Sequence, residues 1–225
     1  MAHYKRIIKK EDVKGPDEFL SFWEHAYFWV VEKKEKLILP VIGFGVAVAL
    51  VAGFFYYRQQ KEVAANRELF NILKELPRQG GAKAVSTDQA VDNLKAFGEK
   101  FGATRSGKMG QLYRANILYQ KKNFDDAAKA YREVMDGGSD LTAHLACMGL
   151  AASLQEQGKY ADAVAALDKF RADSVFAEDM DYMAARTLEM AGNMEAAAKE
   201  YTKFMEKHSA SRLSDDVRER SSRLL

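Results

Sequence analysis

An all-α fold, in which one membrane-crossing helix leads into a stack of helix hairpins, is predicted by three features of the sequence. Three prolines and 15 glycines in 225 residues supply too few turn formers for a sandwich or barrel of many short strands, whereas Ala, Lys, Glu, Leu and Met crowd the second half. An unbroken apolar run extends from Leu37 to Tyr57. Beyond it the chain repeats itself, in steps of 36 and then 34 residues. A composition of 48% hydrophobic and 29% charged residues supplies a core and argues against disorder. Lys+Arg 34 against Asp+Glu 32 leaves a net charge of +2, which removes the bulk electrostatic case for a nucleic-acid partner.

Residues 1–36 read as an N-terminal tail. Within it Phe19, Phe22, Trp23, Tyr27 and Val30 recur at three- and four-residue steps, which is one apolar stripe of a helix. Tryptophan and tyrosine favour the membrane–water boundary. This helix therefore either lies in the lipid headgroups, turning at Lys33–Lys36, or docks on a partner's membrane subunit. Trp23, Tyr27 and Trp29 would anchor one interface, and Tyr56 and Tyr57, behind Phe54 and Phe55, the other.

Residues 37–57 carry no charge. As a helix rising about 1.5 Å per residue the run is about 31 Å long, close to a hydrocarbon thickness of about 30 Å. The run is longer than the apolar region of a signal peptide and no small-residue cleavage site follows, so the anchor is expected to be retained. Pro40 falls near its start, where a missing N–H is tolerated. Gly45, Ala49 and Gly53 recur every four residues and put small side chains on one face, where another helix can approach. Lys33, Lys34 and Lys36 before the span are matched by Arg58, Lys61 and Arg67 after it. The more distant Lys5, Arg6, Lys9, Lys10 and Lys14 tip the expectation toward a cytoplasmic N-terminus and a C-terminal domain outside.

Residues 58–107 read as a linker helix and a degenerate first repeat. Leu69, Phe70, Ile72, Leu73 and Leu76 supply its first helix and Ala90, Leu94 and Phe97 its second. Residues 108–225 hold the better repeats. Asn123–Tyr131, Lys159–Leu167 and Asn193–Tyr201 align; each is preceded by a small residue (Ala115, Ala151, Ala185) and followed by a large one (Val134, Phe170, Phe204). Small residues facing large ones at fixed offsets let paired helices pack closely and stack on their neighbours. Arg212–Leu225, charged and helical in composition, reads as a cap.

This pattern resembles the tetratricopeptide repeat, a helix–turn–helix unit of about 34 residues, from roughly Lys108 to Lys207. The first-helix Trp and the Pro closing each family repeat are absent, with Ser139, Val175 and Ser209 near the Pro positions. The resemblance implies ligand contacts on the inner face of each first helix. By matching position these are Asn116 and Gln120; Met148, Ala152 and Gln155; and Tyr182, Arg186 and Glu189. A tail with tryptophan, one span ending in Gly53-x-x-Tyr56-Tyr57, Phe97–Gly102 and the degenerate repeats together resemble the YfgM-type ancillary subunits of the bacterial Sec translocon. That likeness implies a single-pass inner-membrane protein with a periplasmic domain. Its partners would be a membrane complex, a soluble chaperone or client protein, and membrane lipid.

No enzyme chemistry is legible. Gly102–Met109 comes within one residue of a phosphate-binding loop, yet Met109 replaces the required Ser or Thr and Val91–Phe101 reads as helix where a strand is needed. Gly43-Phe44-Gly45 lacks a third glycine and lies in the span. Cys147 is the single cysteine, and His3, His25, His144 and His208 are scattered, so neither a disulfide framework nor a metal site is expected. Asp125–Asp126 and Asp215–Asp216 fall at helix starts, where carboxylates complement the helix dipole. The expectation is a non-enzyme without cofactor, metal or small-molecule substrate. It is either a scaffold holding a chaperone, secreted or envelope protein near a membrane complex, or an accessory subunit stabilising a larger membrane assembly.

Overall fold

The computed structural model describes Tyr27, Trp29 and residues 33–76, 86–137, 140–171 and 175–224. Among them it contains nine α-helices and no strand: α1 (Lys34–Lys74), α2 (Thr87–Phe101), α3 (Arg105–Gln120), α4 (Phe124–Met135), α5 (Leu141–Glu156), α6 (Tyr160–Arg171), α7 (Ala177–Met190), α8 (Met194–Lys207) and α9 (Ser214–Leu224). The all-helical expectation holds. The chain divides into two compact units, Met1–Tyr57 and Arg58–Leu225.

In the first unit the side chains from Ile38 to Tyr57 are all exposed. One helical stretch, Ile38–Lys74, is long and apolar enough to cross a membrane, with a window of mean hydropathy 2.5. No glycine or proline follows Gly53 before residue 77, so nothing in the chain ends the helix at Tyr57. Pro40 lies inside α1, not in its first turn, so the C=O of Lys36 loses its helical partner. Tyr27 and Trp29 are exposed, and the Lys33 ammonium sits 5.5 Å from the centre of the Trp29 ring. Phe19, Phe22, Trp23 and Val30 lie outside the described residues.

The second unit is built on hairpins α3/α4, α5/α6 and α7/α8, each closed by the same turn. Lys122, Gly158 and Gly192 occupy the left-handed region with φ of 62, 71 and 76°. The following N–H, of Asn123, Lys159 or Asn193, bonds back to the C=O of Leu118, Leu154 or Leu188 at 2.8–3.0 Å. This is the Schellman closure, in which a left-handed residue satisfies the orphan carbonyls at a helix end. Asn123 and Asn193 also cap the next helix through their side chains, as Ser86, Thr104 and Asp140 cap theirs.

Ala115, Ala151, Ala185, Ala127, Ala163 and Ala197 are fully buried where the paired helices cross. Of the large residues behind them, Val134 and Phe204 are buried, whereas Phe170 is half-buried and packs against the edge of the central core. Between hairpins, aromatic rings seat on glycines. A Cβ on Gly149 would lie 2.3 Å from the Tyr131 ring, and one on Gly110 2.6 Å from Phe97. The degenerate repeat packs Ala65 and Leu69 of α1 against Leu94, Phe97 and Phe101 of α2, while Phe70 turns outward. The proline and glycines of residues 77–81, which in the sequence break the helical pattern between the two helices of this repeat, lie outside the described residues.

Candidate functional site

The first helices of the hairpins, α3, α5 and α7, share a register in which Asn116, Ala152 and Arg186 each follow a buried alanine. Asn116 is exposed, and its Oδ1 accepts the Tyr131 hydroxyl at 2.6 Å. Gln120 is exposed at the end of α3. Met148 and Ala152 are half-buried, and Met148 packs on the central core. Gln155 donates to Thr187 Oγ1 at 2.6 Å, linking α5 to α7. The Tyr182 hydroxyl donates to Asp216 of α9 at 2.6 Å. Glu189 accepts the Tyr201 hydroxyl at 2.6 Å and Arg220 at 3.3 Å. Arg186 is exposed, its guanidinium 5.9 Å from the centre of the Tyr182 ring.

The phenols in this set stay protonated donors. Burial pushes the Tyr131 hydroxyl up to about 12. Burial, then the bonded carboxylates Glu189 and Asp216, raises Tyr201 and Tyr182. Most of the polar residues anticipated as ligand contacts therefore spend their hydrogen bonds inside the stack.

Sequence reasoning passed over the apolar side chains beside them. Leu141 and Leu145 on α5 are 55% and 41% exposed. With Met148 and Ala152 they stand at positions i, i+4, i+7 and i+11, one line along a helix. Tyr113 on α3 is partly exposed, and Met190 ends α7 in solvent. The signal was present in the sequence, but α5 is apolar on nearly every face, which hides one stripe among others.

Other chemistry is closed off by the local structure. At the loop that approaches a phosphate-binding motif, α2 precedes the turn as a helix. The N-terminus of α3 is filled by the Glu62 carboxylate, which accepts the N–H groups of Arg105 and Ser106 at 2.9 Å each and the Ser106 hydroxyl at 2.6 Å. Burial opposes the charge of Glu62, but these bonds outweigh it and hold its pKa below the usual carboxylate range. The site that would cradle an anion already holds one. Cys147 is fully buried, its thiol donates to the Ala166 C=O at 3.4 Å, and burial pushes it up to about 12, so no reactive thiolate forms. Among the described residues no group of three or more His, Cys, Asp or Glu could hold a metal ion.

With hairpins, register and turns in place, one comparison is decisive: residues 28–220 match the model of a tetratricopeptide repeat-like domain. The chain belongs to that family. No curated protein matches the chain significantly. Tetratricopeptide-like domains are typically non-catalytic modules for protein interaction, which agrees with a site made of helix surface. In this stack α9 takes the place after α8, with Val217 buried and Leu213 and Leu224 packed beside Tyr201 and Phe204. It packs against the α7/α8 hairpin.

Proposed function

We propose that this tetratricopeptide-like protein is a membrane-anchored scaffold that holds a chaperone, secreted or envelope protein near a membrane complex such as the translocon. One observation carries the reading: an apolar helix of spanning length and a domain of an interaction family lie in a single chain. The proposed division of labour gives residues 1–36 to the membrane interface, 37–57 to the span, 58–107 to the linker and degenerate repeat, and 108–225 to the binding stack. The charges flanking the span balance, Lys5, Arg6, Lys9, Lys10 and Lys14 tip the N-terminus toward the cytoplasm, and the resemblance to YfgM-type subunits adds an inner-membrane location and a periplasmic domain. Protease added to intact spheroplasts then digests the repeats; protection reverses the topology.

The binding face is tested by a photo-crosslinking residue at Arg186 in living cells, with Asp162 on the second helix α6 as control. Capture of a discrete protein from position 186 alone supports the scaffold, and capture of nothing contradicts it. A bracket role, stabilising a membrane assembly through residues 17–32 and the Gly45, Ala49 and Gly53 face, rests on the four-residue recurrence of those small side chains. Deleting residues 17–32 separates the two. Loss of co-purification with a membrane complex favours the bracket, and unchanged co-purification favours the scaffold.

A further inference from the structure

His144 stands where α5, in the second hairpin, meets the start of α7, in the third. It is 2% exposed, and its ring stacks on Phe176 with centres 4.0 Å and planes 26° apart. Its Nε2 lies 3.6 Å from Asp179 in the first turn of α7, and its Nδ1 is buried with no hydrogen-bond partner among the described residues. The helices packed against α5 are α3, α4, α6 and α7, and of their charged groups among the described residues only Asp179 acts on this ring. Lys108 of α3 turns instead to the Gly137 C=O and to Asp140. Arg132, Glu133 and Asp136, around the end of α4, are exposed. On α6, Lys169 acts on the Cys147 thiol and Arg171 binds Asp168 and, on α7, Asp181. Glu178 of α7 accepts the Ser211 hydroxyl.

A protonated imidazole carries two N–H donors. Here Nδ1–H would face no acceptor, and Nε2–H would have one carboxylate, beyond hydrogen-bond length and itself 41% exposed to water. Burial opposes the charge more strongly than Asp179 favours it, and the pKa of the ring lies below the ordinary histidine value of about 6.5. Once the start of α7 moves away, water solvates both donors. The stability of this contact is therefore complete above about pH 6.5 and is lost as the pH falls toward and through the folded value, because the opened state binds the proton. The other end of α7 is fastened separately, by the Gln155 amide on Thr187 at 2.6 Å. We infer that His144 makes the α5/α7 contact a proton-operated hinge: in mildly acidic surroundings it takes up a proton and releases the first turn of α7 from α5, while the far end of α7 stays pinned. The hinge changes the spacing of two neighbouring hairpins, and it goes beyond the scaffold role without depending on it.

The test is hydrogen exchange, corrected for intrinsic rates and read by mass spectrometry, on the full-length protein in nanodiscs of phosphatidylethanolamine and phosphatidylglycerol at pH 7.5, 6.5 and 5.5. Protection of residues 177–183 is expected to fall about threefold to tenfold between pH 6.5 and 5.5, one proton allowing at most about tenfold per pH unit, while residues 105–120 keep theirs. His144→Phe and His144→Gln, neither of which takes up a proton, should each remove that response; a cooperative melt at pH 7.5 checks both folds. Asp179→Asn should keep the response, since the proton goes to the ring. Unchanged protection of the wild-type protein down to pH 5.5 overturns the inference whatever the variants do. So does tighter protection on acidification, which would mean that His144 and Asp179 close into an ion pair, or a response that survives both His144 substitutions or vanishes with Asp179→Asn. No partner protein enters the measurement, so these outcomes are distinct from failure of the scaffold reading, which loses the cellular crosslink at position 186.

Discussion

From α3 to α6 the helices meet across apolar side chains: Leu112, Tyr131, Val134, Leu150, Leu154 and Leu167 join one continuous core. From α6 to α9 an apolar core of Ala185, Ala197, Tyr201, Phe204 and Val217 is joined by an extensive ionic network. Arg171 donates to Asp168 at 2.8 Å, to Asp181 at 2.5 Å and to Glu200, while Asp181 also holds His208 at 3.0 Å. Tyr182, Asp216, Arg220 and Glu189 form a second cluster that fastens α9. The comparison teaches that one repeat architecture closes with two chemistries. Apolar burial is indifferent to pH and tolerates neighbours; a buried ionic cluster requires its members and a pH at which they stay charged.

The largest effect is expected at the apolar end. Leu150→Ala empties a site 1% exposed and should cost about 3 kcal/mol, measured by chemical denaturation, with little change between pH 5 and 8. Next, Asp181→Ala removes a carboxylate 3% exposed from the pocket shared by Arg171 and His208, and a loss of about 2–3 kcal/mol is expected. Equal costs at pH 7 and pH 3 would remove the ionic account of that interface.

The same contrast can be titrated. Burial works against the charge of Asp181 and Glu200, but hydrogen bonds and neighbouring cations overcome it, and the pKa of each sits below the usual carboxylate range. Asp216 is lowered chiefly by the Tyr182 hydroxyl, with Arg220 adding to it. Groups held low in the folded state contribute stability that is fully present above the ordinary carboxylate range, about 4, and is lost as pH falls through their folded values. Hydrogen exchange, corrected for intrinsic rates, should show α7–α9 losing protection below about pH 4 before α3–α5 do. Simultaneous loss would erase the distinction between the two ends.

Two smaller changes sharpen it. Gly149→Ala forces a Cβ onto the Tyr131 ring and should cost about 1–3 kcal/mol at the apolar end, read from the thermal midpoint. Lys122→Gly relieves a non-glycine residue at φ 62° in the turn where the other two hairpins use glycine, and should stabilise by up to about 1 kcal/mol. A loss of stability there would mean that the Lys122 side chain holds something the turn geometry does not reveal.

Much of the fold was legible because it depends on local spacing. Ala115, Ala151 and Ala185 precede Val134, Phe170 and Phe204 on the second helix of the same hairpin. Each signal lies within one repeat. What escaped is non-local. Tyr182 meets Asp216 across 34 residues, and Glu62 meets Ser106 across 44, with no periodicity to announce either. For the same reason the matching rule picked out Asn116, Gln155, Tyr182 and Glu189 as ligand contacts without revealing that the stack had engaged them. Leu141 and Leu145 escaped differently, since an apolar residue on an apolar helix reads as core until its exposure is known.

Anchoring underlies every functional statement, and alkaline carbonate extraction of membranes carrying the full-length protein tests it most directly. The account predicts that the intact chain stays with the lipid pellet at pH 11, as a helix inserted through the hydrocarbon must. Intact chain in the supernatant, with its N-terminus still present, would contradict it.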